Sequence, residues 1–153
     1  MESLNKGFRR AATRARGARL LSVLVLSMTV VLTRAQQLPE PVEIPAAATA
    51  LEGLPTSLVS SDENGTEKRV LNTGEATKNR VLVTVLNGKF YWASRGNRQL
   101  EMHQSGAFTY LYEGPGAYIK FARVGNKIVY LEHANIFLST LTYWGEMKII
   151  TGR

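Results

Sequence analysis

The stretch RVLVTVLNGKFYWAS, residues 80–94, decides the fold class of this chain. Its first half is rich in β-branched residues, and its second half contains three consecutive aromatic residues. Asn87 and Gly88 lie between the halves and tolerate the positive φ angles of a tight turn. Asn-Gly between two such runs is the strongest short-range signal for a β-hairpin. The stretch therefore predicts two antiparallel strands joined by a two-residue turn.

Short strands separated by turn signals continue to the end of the chain. The turns are marked by Gly-Pro-Gly at 114–116, Gly-Asn at 125–126 and Gly145. No segment has a helical period, so the pattern predicts an all-β domain over residues 80–153. Six or seven strands predict a small antiparallel meander that closes as a barrel or as a tight sandwich, because closure removes exposed sheet edges. The strands are predicted at 80–86, 89–94, 107–113, 117–123, 127–133, 137–144 and 146–150.

Alternation along these strands predicts which side chains face the interior, since successive strand residues point to opposite faces. Phe90 and Trp92 are expected inside, with Tyr91 on the other face. Three further sets each share one face and are expected to line the core: Val81, Val83 and Val85; Phe108, Tyr110 and Tyr112; and Ala117, Ile119 and Phe121. The core of so small a domain is limited, so self-association as a homo-oligomer is a further expectation.

Residues 1–35 have the layout of an export signal. Basic residues up to Arg19 precede an uncharged apolar run of 13 residues at 20–32, and Thr-Arg-Ala at 33–35 offers a peptidase site before Gln36. A membrane-spanning helix needs about 20 apolar residues, so a cleaved signal peptide is favoured. The alternatives are an uncleaved N-terminal membrane anchor formed by residues 20–32 and an organelle transit peptide, since the leader is rich in Arg and Ala.

The charge distribution argues against nucleic acid as a partner. The formal net charge is +7, but seven basic residues and one acidic residue lie in positions 1–35. The remaining positions hold twelve basic and eleven acidic residues, a balance of +1. Removal of the leader would therefore remove the cationic excess that phosphate binding requires.

The chain contains no cysteine. Disulfides, thiolate metal sites and thiol nucleophiles are therefore excluded. Small secreted domains from oxidising compartments commonly depend on disulfides. Their absence favours a bacterial periplasmic or secreted protein over eukaryotic secretion.

Residues 36–79 are predicted to be a disordered linker. The segment contains Pro39, Pro41, Pro45 and Pro55, and it ends in a polar stretch that includes SSDENGTEKR at 60–69. Proline removes backbone donors from helices and sheets, and a polar stretch buries too little apolar surface to offset the entropy of ordering.

One group of residues is predicted to form a contact surface. The loop after the FYW run combines arginines with turn residues, and arginine beside tyrosine suits the binding of a protein or a glycan. The alternative is an ordinary solvated turn after a buried strand. The candidate residues are Tyr91, Ser94, Arg95, Asn97, Arg98 and His103.

A catalytic or metal site has little support in the sequence. His103 and His133 are the two histidines, and Glu101 precedes His103 by two residues. A metal site needs three or four ligands, and no spacing here indicates one. The sequence also lacks a nucleophile elbow and a phosphate-binding loop. We therefore predict no enzyme, no catalytic residue, no cofactor and no metal.

Three functional hypotheses follow. The first is an exported, non-enzymatic binding or assembly module of the cell envelope that uses a surface of tyrosines and arginines. The second is a small hydrolase or metal-dependent enzyme centred on His103 and His133. The third is an accessory subunit of a membrane complex, held by an uncleaved N-terminal helix.

Overall fold

The hairpin predicted at residues 80–94 is present in the structure, a computed structural model that describes residues 37–152. Strands Val81–Leu86 and Lys89–Trp92 pair antiparallel, with Val83 opposite Trp92 and Val85 opposite Phe90. The turn residues Asn87 and Gly88 have φ angles of 52° and 74°. Both values lie in the left-handed region that a type I′ turn requires, so the Asn-Gly signal is confirmed.

Strands dominate the described residues, with one short helix and one 3₁₀ turn at Ala93–Arg95. The elements in chain order are β1 (Ala48–Asp62), β2 (Gly65–Val70), α1 (Thr73–Lys78), β3 (Val81–Leu86), β4 (Lys89–Trp92), β5 (Arg98–Ser105), β6 (Phe108–Gly114), β7 (Ala117–Val124), β8 (Lys127–Ile136) and β9 (Ser139–Thr151).

The sheet closes into a barrel. From β3 to β9 each strand pairs antiparallel with the next, and β1 pairs with both β3 and β9. Within residues 37–152 this gives a closed ring of eight strands, with β2 paired to the projecting half of β1. The predicted antiparallel meander that closes as a barrel is confirmed, and the sandwich alternative is excluded.

Alternation places most of the predicted residues inside. Val81, Val83, Phe90, Trp92, Ile119 and Phe121 are all buried members of one apolar core cluster. Val85 and Ala117 are half-buried and pack against that cluster. The core therefore runs down the centre of the barrel, as the sequence pattern predicts.

The predicted interior face of β6 is wrong. Thr109 and Leu111 face inward, with exposed fractions of 1% and 0%, whereas Phe108, Tyr110 and Tyr112 lie on the outer surface. The pairing of Leu111 with Ile119 on β7 fixes this register. Tyrosine can stand on a half-exposed surface because its hydroxyl remains hydrated, so Leu111 is the better interior residue.

The prediction of a disordered linker over residues 36–79 is wrong for the part that the structure describes. β1, β2 and α1 all lie in it. β1 completes the barrel and places Leu51 and Leu58 in buried positions. β2 is exposed at every position, because it extends the sheet beyond the barrel, and its polar sequence suits that place. The helix has a capping box, in which Asn72 and Glu75 exchange hydrogen bonds.

Pro55 occurs in the longest strand because the sheet is irregular there. The register between β1 and β9 shifts between Pro55 and Ser57, which is the irregularity that a residue without an N–H donor requires. Gly145 lies opposite Pro55 on β9. A Cβ atom at Gly145 would lie 2.7 Å from Pro55 Cα and would overlap the Leu54 carbonyl group, so only glycine allows this approach.

The segment before β1 closes one end of the barrel. Glu40 and Arg123 exchange two backbone hydrogen bonds of 2.8 and 2.9 Å, which attach the segment to the end of β7. Val42 is buried in the core cluster, and Ile44 packs against it.

The predicted export signal, residues 1–35, lies outside the described residues. Over residues 37–152, no helix is long and apolar enough to cross a membrane.

Candidate functional site

The inward side chains become smaller toward the other end of the barrel. On β7 the inward series runs from Phe121 through Ile119 to Ala117, and on β8 the series that includes Tyr130 ends at Ala134. An eight-stranded barrel is just wide enough either to be filled by side chains or to hold one small ligand. The small side chains at this end therefore leave space inside the strands.

That space is a cavity of about 770 Å³, which falls in the size range of small-molecule sites. It opens where the β4–β5, β6–β7 and β8–β9 connections meet. Arg95, Arg98 and Glu113 line the side formed by β4 to β6. Ile136 and Leu141 line the opposite side, formed by β8 and β9. The cavity therefore has one wall that carries both arginines and Glu113, and one wall that is mainly apolar apart from Glu132 and Asn135.

Arg95 and Glu132 form an ion pair in this cavity, with one hydrogen bond and one further close contact. Arg95 Nη2 donates to Glu132 Oε2 at 3.1 Å, and Arg95 Nε lies 2.9 Å from Oε1. Arg95 Nη1 also donates to the carbonyl oxygen of Ser94, which fixes the guanidinium. The Glu132 side chain is 1% exposed and the Arg95 side chain 33% exposed. A carboxylate buried to this degree needs such a partner, because water no longer solvates its charge.

The environment of Glu132 shifts its ionisation. Burial raises the pKa of Glu132 to about 7, while the charge and the hydrogen bond of Arg95 act in the opposite direction. A carboxyl group with this pKa changes charge near neutral pH. It is therefore a group whose proton can respond to a ligand entering the cavity.

Buried polar atoms lack hydrogen-bond partners around the pair. Within the described residues these atoms are Trp92 Nε1, Tyr130 Oη and Glu132 Oε1. Glu132 Oε1 lies close to Arg95 Nε, but the N–H of Arg95 does not point at it, so no hydrogen bond forms. A buried polar atom without a partner costs about 1–3 kcal/mol. Trp92 and Glu132 line the cavity, so a ligand can supply the missing partners to both.

A second arginine–glutamate pair lies nearer the opening. Arg98 Nη1 donates to Glu113 Oε1. The Arg98 side chain is 66% exposed and the Glu113 side chain 18% exposed. In both pairs the glutamate is the more buried partner and the arginine the more exposed one. A molecule that enters from solvent therefore meets the guanidinium groups before the carboxylates.

The rim of the apolar wall is a hairpin tip made of large apolar residues. Phe137 is fully exposed, Leu138 is 85% exposed and Ile136 is half exposed. Phe137 also has a φ angle of +55°, a conformation that costs a bulky residue about 1–2 kcal/mol. The β3–β4 turn uses Asn-Gly at the equivalent place. The β8–β9 tip thus combines two unfavourable features for a free loop, apolar exposure and a strained backbone.

The sequence-predicted contact residues separate into two places. Arg95 and Arg98 line the cavity. Ser94 and Asn97 have structural roles near it: Ser94 Oγ accepts a hydrogen bond from the backbone N–H of Leu82, and the N–H of Asn97 donates to the carbonyl oxygen of Trp92. Asn97 adopts a φ angle of +57°, which asparagine tolerates.

Tyr91 and His103 lie on the outer surface, away from the cavity. His103 is one end of a row of five aromatic rings that crosses β5 to β8, which we call the outer aromatic row. The centroids of contacting rings in it lie 5.0 to 6.2 Å apart. Its members are His103, Tyr112, Tyr110, Tyr118 and His133.

The outer aromatic row is largely engaged with itself. Tyr110 and Tyr112 stack with only 5° between their planes, and Tyr118 stacks on His133. Faces that cover one another are not available for stacking on a flat ligand. Each such pair contributes about 0.5–1.5 kcal/mol, so the row stabilises the outer sheet surface.

The two histidines do not share a site. Two tyrosine rings of the outer aromatic row lie between them, and His133 Nδ1 is 3.1 Å from the Thr142 hydroxyl. His103 Nε2 lies 3.7 Å from Glu101 Oε2 on the exposed surface. In the described part of the chain, no three His, Asp or Glu side chains form a group able to hold a metal.

The predicted contact surface lacks Glu132 and Phe137, which line the cavity, and Leu138, which lies beside Phe137 at the rim. Glu132 shares the parity of Tyr130 and Ile128 in KIVYLEH, so alternation alone points it into the barrel. The sequence pattern predicts that Phe137 and Leu138 begin a strand, but in the structure they form the turn between β8 and β9. An apolar pair at a turn carries no sequence signal of turn formation.

Comparison of the chain with protein-family models, with curated proteins and with solved structures gave no match.

Proposed function

We propose that this protein is an exported, non-enzymatic binding module that holds a small organic molecule in the open end of its barrel. This keeps the binding role expected from the sequence and moves it from an outer tyrosine surface to the cavity. Arg95 and Arg98 are the predicted contact residues that belong to it.

The observation that carries the proposal is the cavity of about 770 Å³, which is crossed by the Arg95–Glu132 ion pair and has a mainly apolar wall on one side. Small-molecule sites are concave and largely apolar, with a few polar groups that orient the ligand. Trp92 Nε1 and Glu132 Oε1 are such groups, because they are buried in the wall without hydrogen-bond partners among the described residues.

A thermal-shift screen of small molecules tests the proposal, with Ala134→Leu as the variant. Leucine at this inward position fills part of the cavity, so ligands that raise the melting temperature of the wild type should have much less effect on the variant. Val129→Leu is the matched control, because Val129 is exposed on the outer face of the same strand. If ligands stabilise all three proteins equally, the cavity is not the binding site.

Export is tested separately on the protein recovered from its native cell. A mature chain that begins at Gln36 is the expected result of signal cleavage. Recovery from the membrane fraction with the leader intact would favour the anchored alternative instead.

A further inference from the structure

The exposed arginines of the cavity indicate which chemical group of a ligand binds there. Arg98 is two-thirds exposed at the opening, while its partner Glu113 is mostly buried. Of the five N–H donors of its guanidinium, one is used among the described residues, in the bond to Glu113. Arg95 repeats the arrangement deeper in the cavity, in front of Glu132. A molecule entering from solvent therefore meets guanidinium groups, which bind planar anions such as carboxylates best.

The opposite, mainly apolar wall indicates that the rest of the ligand is apolar. Leu141 and Ile136 lead along β8 and β9 to the exposed tip at Phe137 and Leu138. This apolar surface is continuous with the cavity, since Ile136 and Phe137 line both. Covering it would remove apolar area from water, with a gain of about 25 cal/mol for each Å². An extended apolar chain that leaves the cavity along the tip would cover it.

We infer that the ligand is a single-chain amphiphile with a carboxylate head, whose head contacts Arg98 and Arg95 and whose apolar tail lies against the β8–β9 hairpin as far as Phe137. This inference rests on the proposed function, because it assigns a chemical class to the ligand of the same cavity. It also gives the strained, exposed Phe137 a role, which is to contact the tail.

The raised pKa of Glu132 is consistent with an anionic head. A protonated Glu132 leaves the Arg95 charge without a counter-charge and can donate its own O–H to the incoming carboxylate. The charged groups that line this space are Arg95, Arg98, Glu113 and Glu132. With one glutamate protonated, the set carries a net positive charge.

Titration calorimetry with a matched ligand series tests the head group. Decanoate, decanol and decylamine have the same tail, and each is used below the concentration at which it aggregates. We expect decanoate to bind at least tenfold more tightly than decanol, and decylamine to bind most weakly. The factor of about ten corresponds to one charge-assisted hydrogen bond. Equal affinity for decanol, or a preference for decylamine, would refute the carboxylate assignment.

Two variants test the contacts. Arg98→Gln should weaken decanoate binding about tenfold and leave decanol unaffected. Lys120→Gln is its control, because Lys120 lies on the outer surface over the Phe108 ring.

Phe137→Asn should weaken the binding of decanoate about threefold or more and leave the binding of butanoate unaffected, since butanoate is too short to reach the tip. Leu86→Asn is its control, an exposed apolar residue at the opposite end of the barrel.

The outcomes separate the two proposals. If other molecules bind and Ala134→Leu blocks them, but decanoate does not bind, the amphiphile is wrong and the cavity remains a binding site. If Arg98→Gln and Phe137→Asn bind decanoate as the wild type does, the assigned orientation is wrong. If nothing binds the wild type in either experiment, the proposed function fails together with the inference.

Discussion

Replacement of Glu132 by glutamine should change how the stability of the protein depends on pH. Glutamine keeps the shape of the side chain but cannot ionise. Arg95 is one-third exposed and can move its charge toward water when its partner is neutral. The variant therefore removes one ionisation from a fold that remains intact.

The direction of the effect follows from the raised pKa of Glu132. In the unfolded chain this carboxyl group has an ordinary pKa of 4.5, whereas burial raises it to about 7 in the folded protein. Between these values the folded protein keeps a proton that the unfolded chain releases. The free energy of unfolding of the wild type therefore falls as the pH rises from about 4.5 to 7. Each pKa unit is worth about 1.4 kcal/mol, so the total fall is roughly 3 kcal/mol.

Urea denaturation of both proteins between pH 4.5 and 8.5 measures the effect. The free energy of unfolding of the wild type minus that of Glu132→Gln should fall by roughly 3 kcal/mol across the range and level off above pH 7. The control is Glu146→Gln, which removes an exposed carboxylate paired with Lys127. A difference that stays constant, or rises with pH, would show that Arg95 keeps Glu132 ionised and would refute the reasoning.

Two substitutions test the backbone of the barrel. Gly145→Ala should lower the free energy of unfolding by about 3 kcal/mol, because the new Cβ would collide with β1 at Leu54 and Pro55. Gly114→Ala is the control, because no atom lies within 4 Å of a Cβ added there, and it should change the free energy of unfolding by less than about 0.5 kcal/mol. Similar losses of stability in the two alanine variants would contradict the argument. Phe137→Asn should raise the free energy of unfolding by about 1 kcal/mol in urea denaturation, since asparagine tolerates the φ of +55°; a loss would mean that Phe137 makes a stabilising contact in the free protein.

The turns explain why the meander could be predicted from the sequence. Asn87, Gly88, Gly116 and Gly125 all have positive φ angles, and each follows or precedes a run with strand composition. Turn chemistry depends on one or two residues, so it is visible without knowledge of the tertiary structure. The strands between these turns could be predicted from runs of β-branched and aromatic residues of suitable length.

The first barrel strand was missed because its evidence is not local. Pro55 and the alanines near residue 48 have low strand propensity, and Pro55 is tolerated through the register shift beside it. β1 is a strand because it pairs on both sides, with β3 and with β9. Its partner β9 lies about 90 residues further along the chain, and that distance is invisible to composition and periodicity.

The inward face of β6 shows a different limit. FTYLYEG alternates two large sets, one with Phe108, Tyr110 and Tyr112 and the other with Thr109 and Leu111. Counting apolar area favours the aromatic set, which is why it was expected inside. The pairing with Ile119 selects the smaller set, because a barrel of eight strands has little room for three large rings from a single strand.

If the barrel is assumed, the cavity can be predicted from the alternation of inward and outward side chains along β7 and β8. The inward positions of β7 end in Ala117, and those of β8 pass through Glu132 to Ala134. Small residues at the ends of neighbouring strands mean unfilled space, and an acid on an inward position needs a cation to face it. Arg95 was already a candidate from its loop. What the sequence lacked was the strand order, because only the closed ring brings Arg95 from the end of β4 across the barrel to Glu132 on β8.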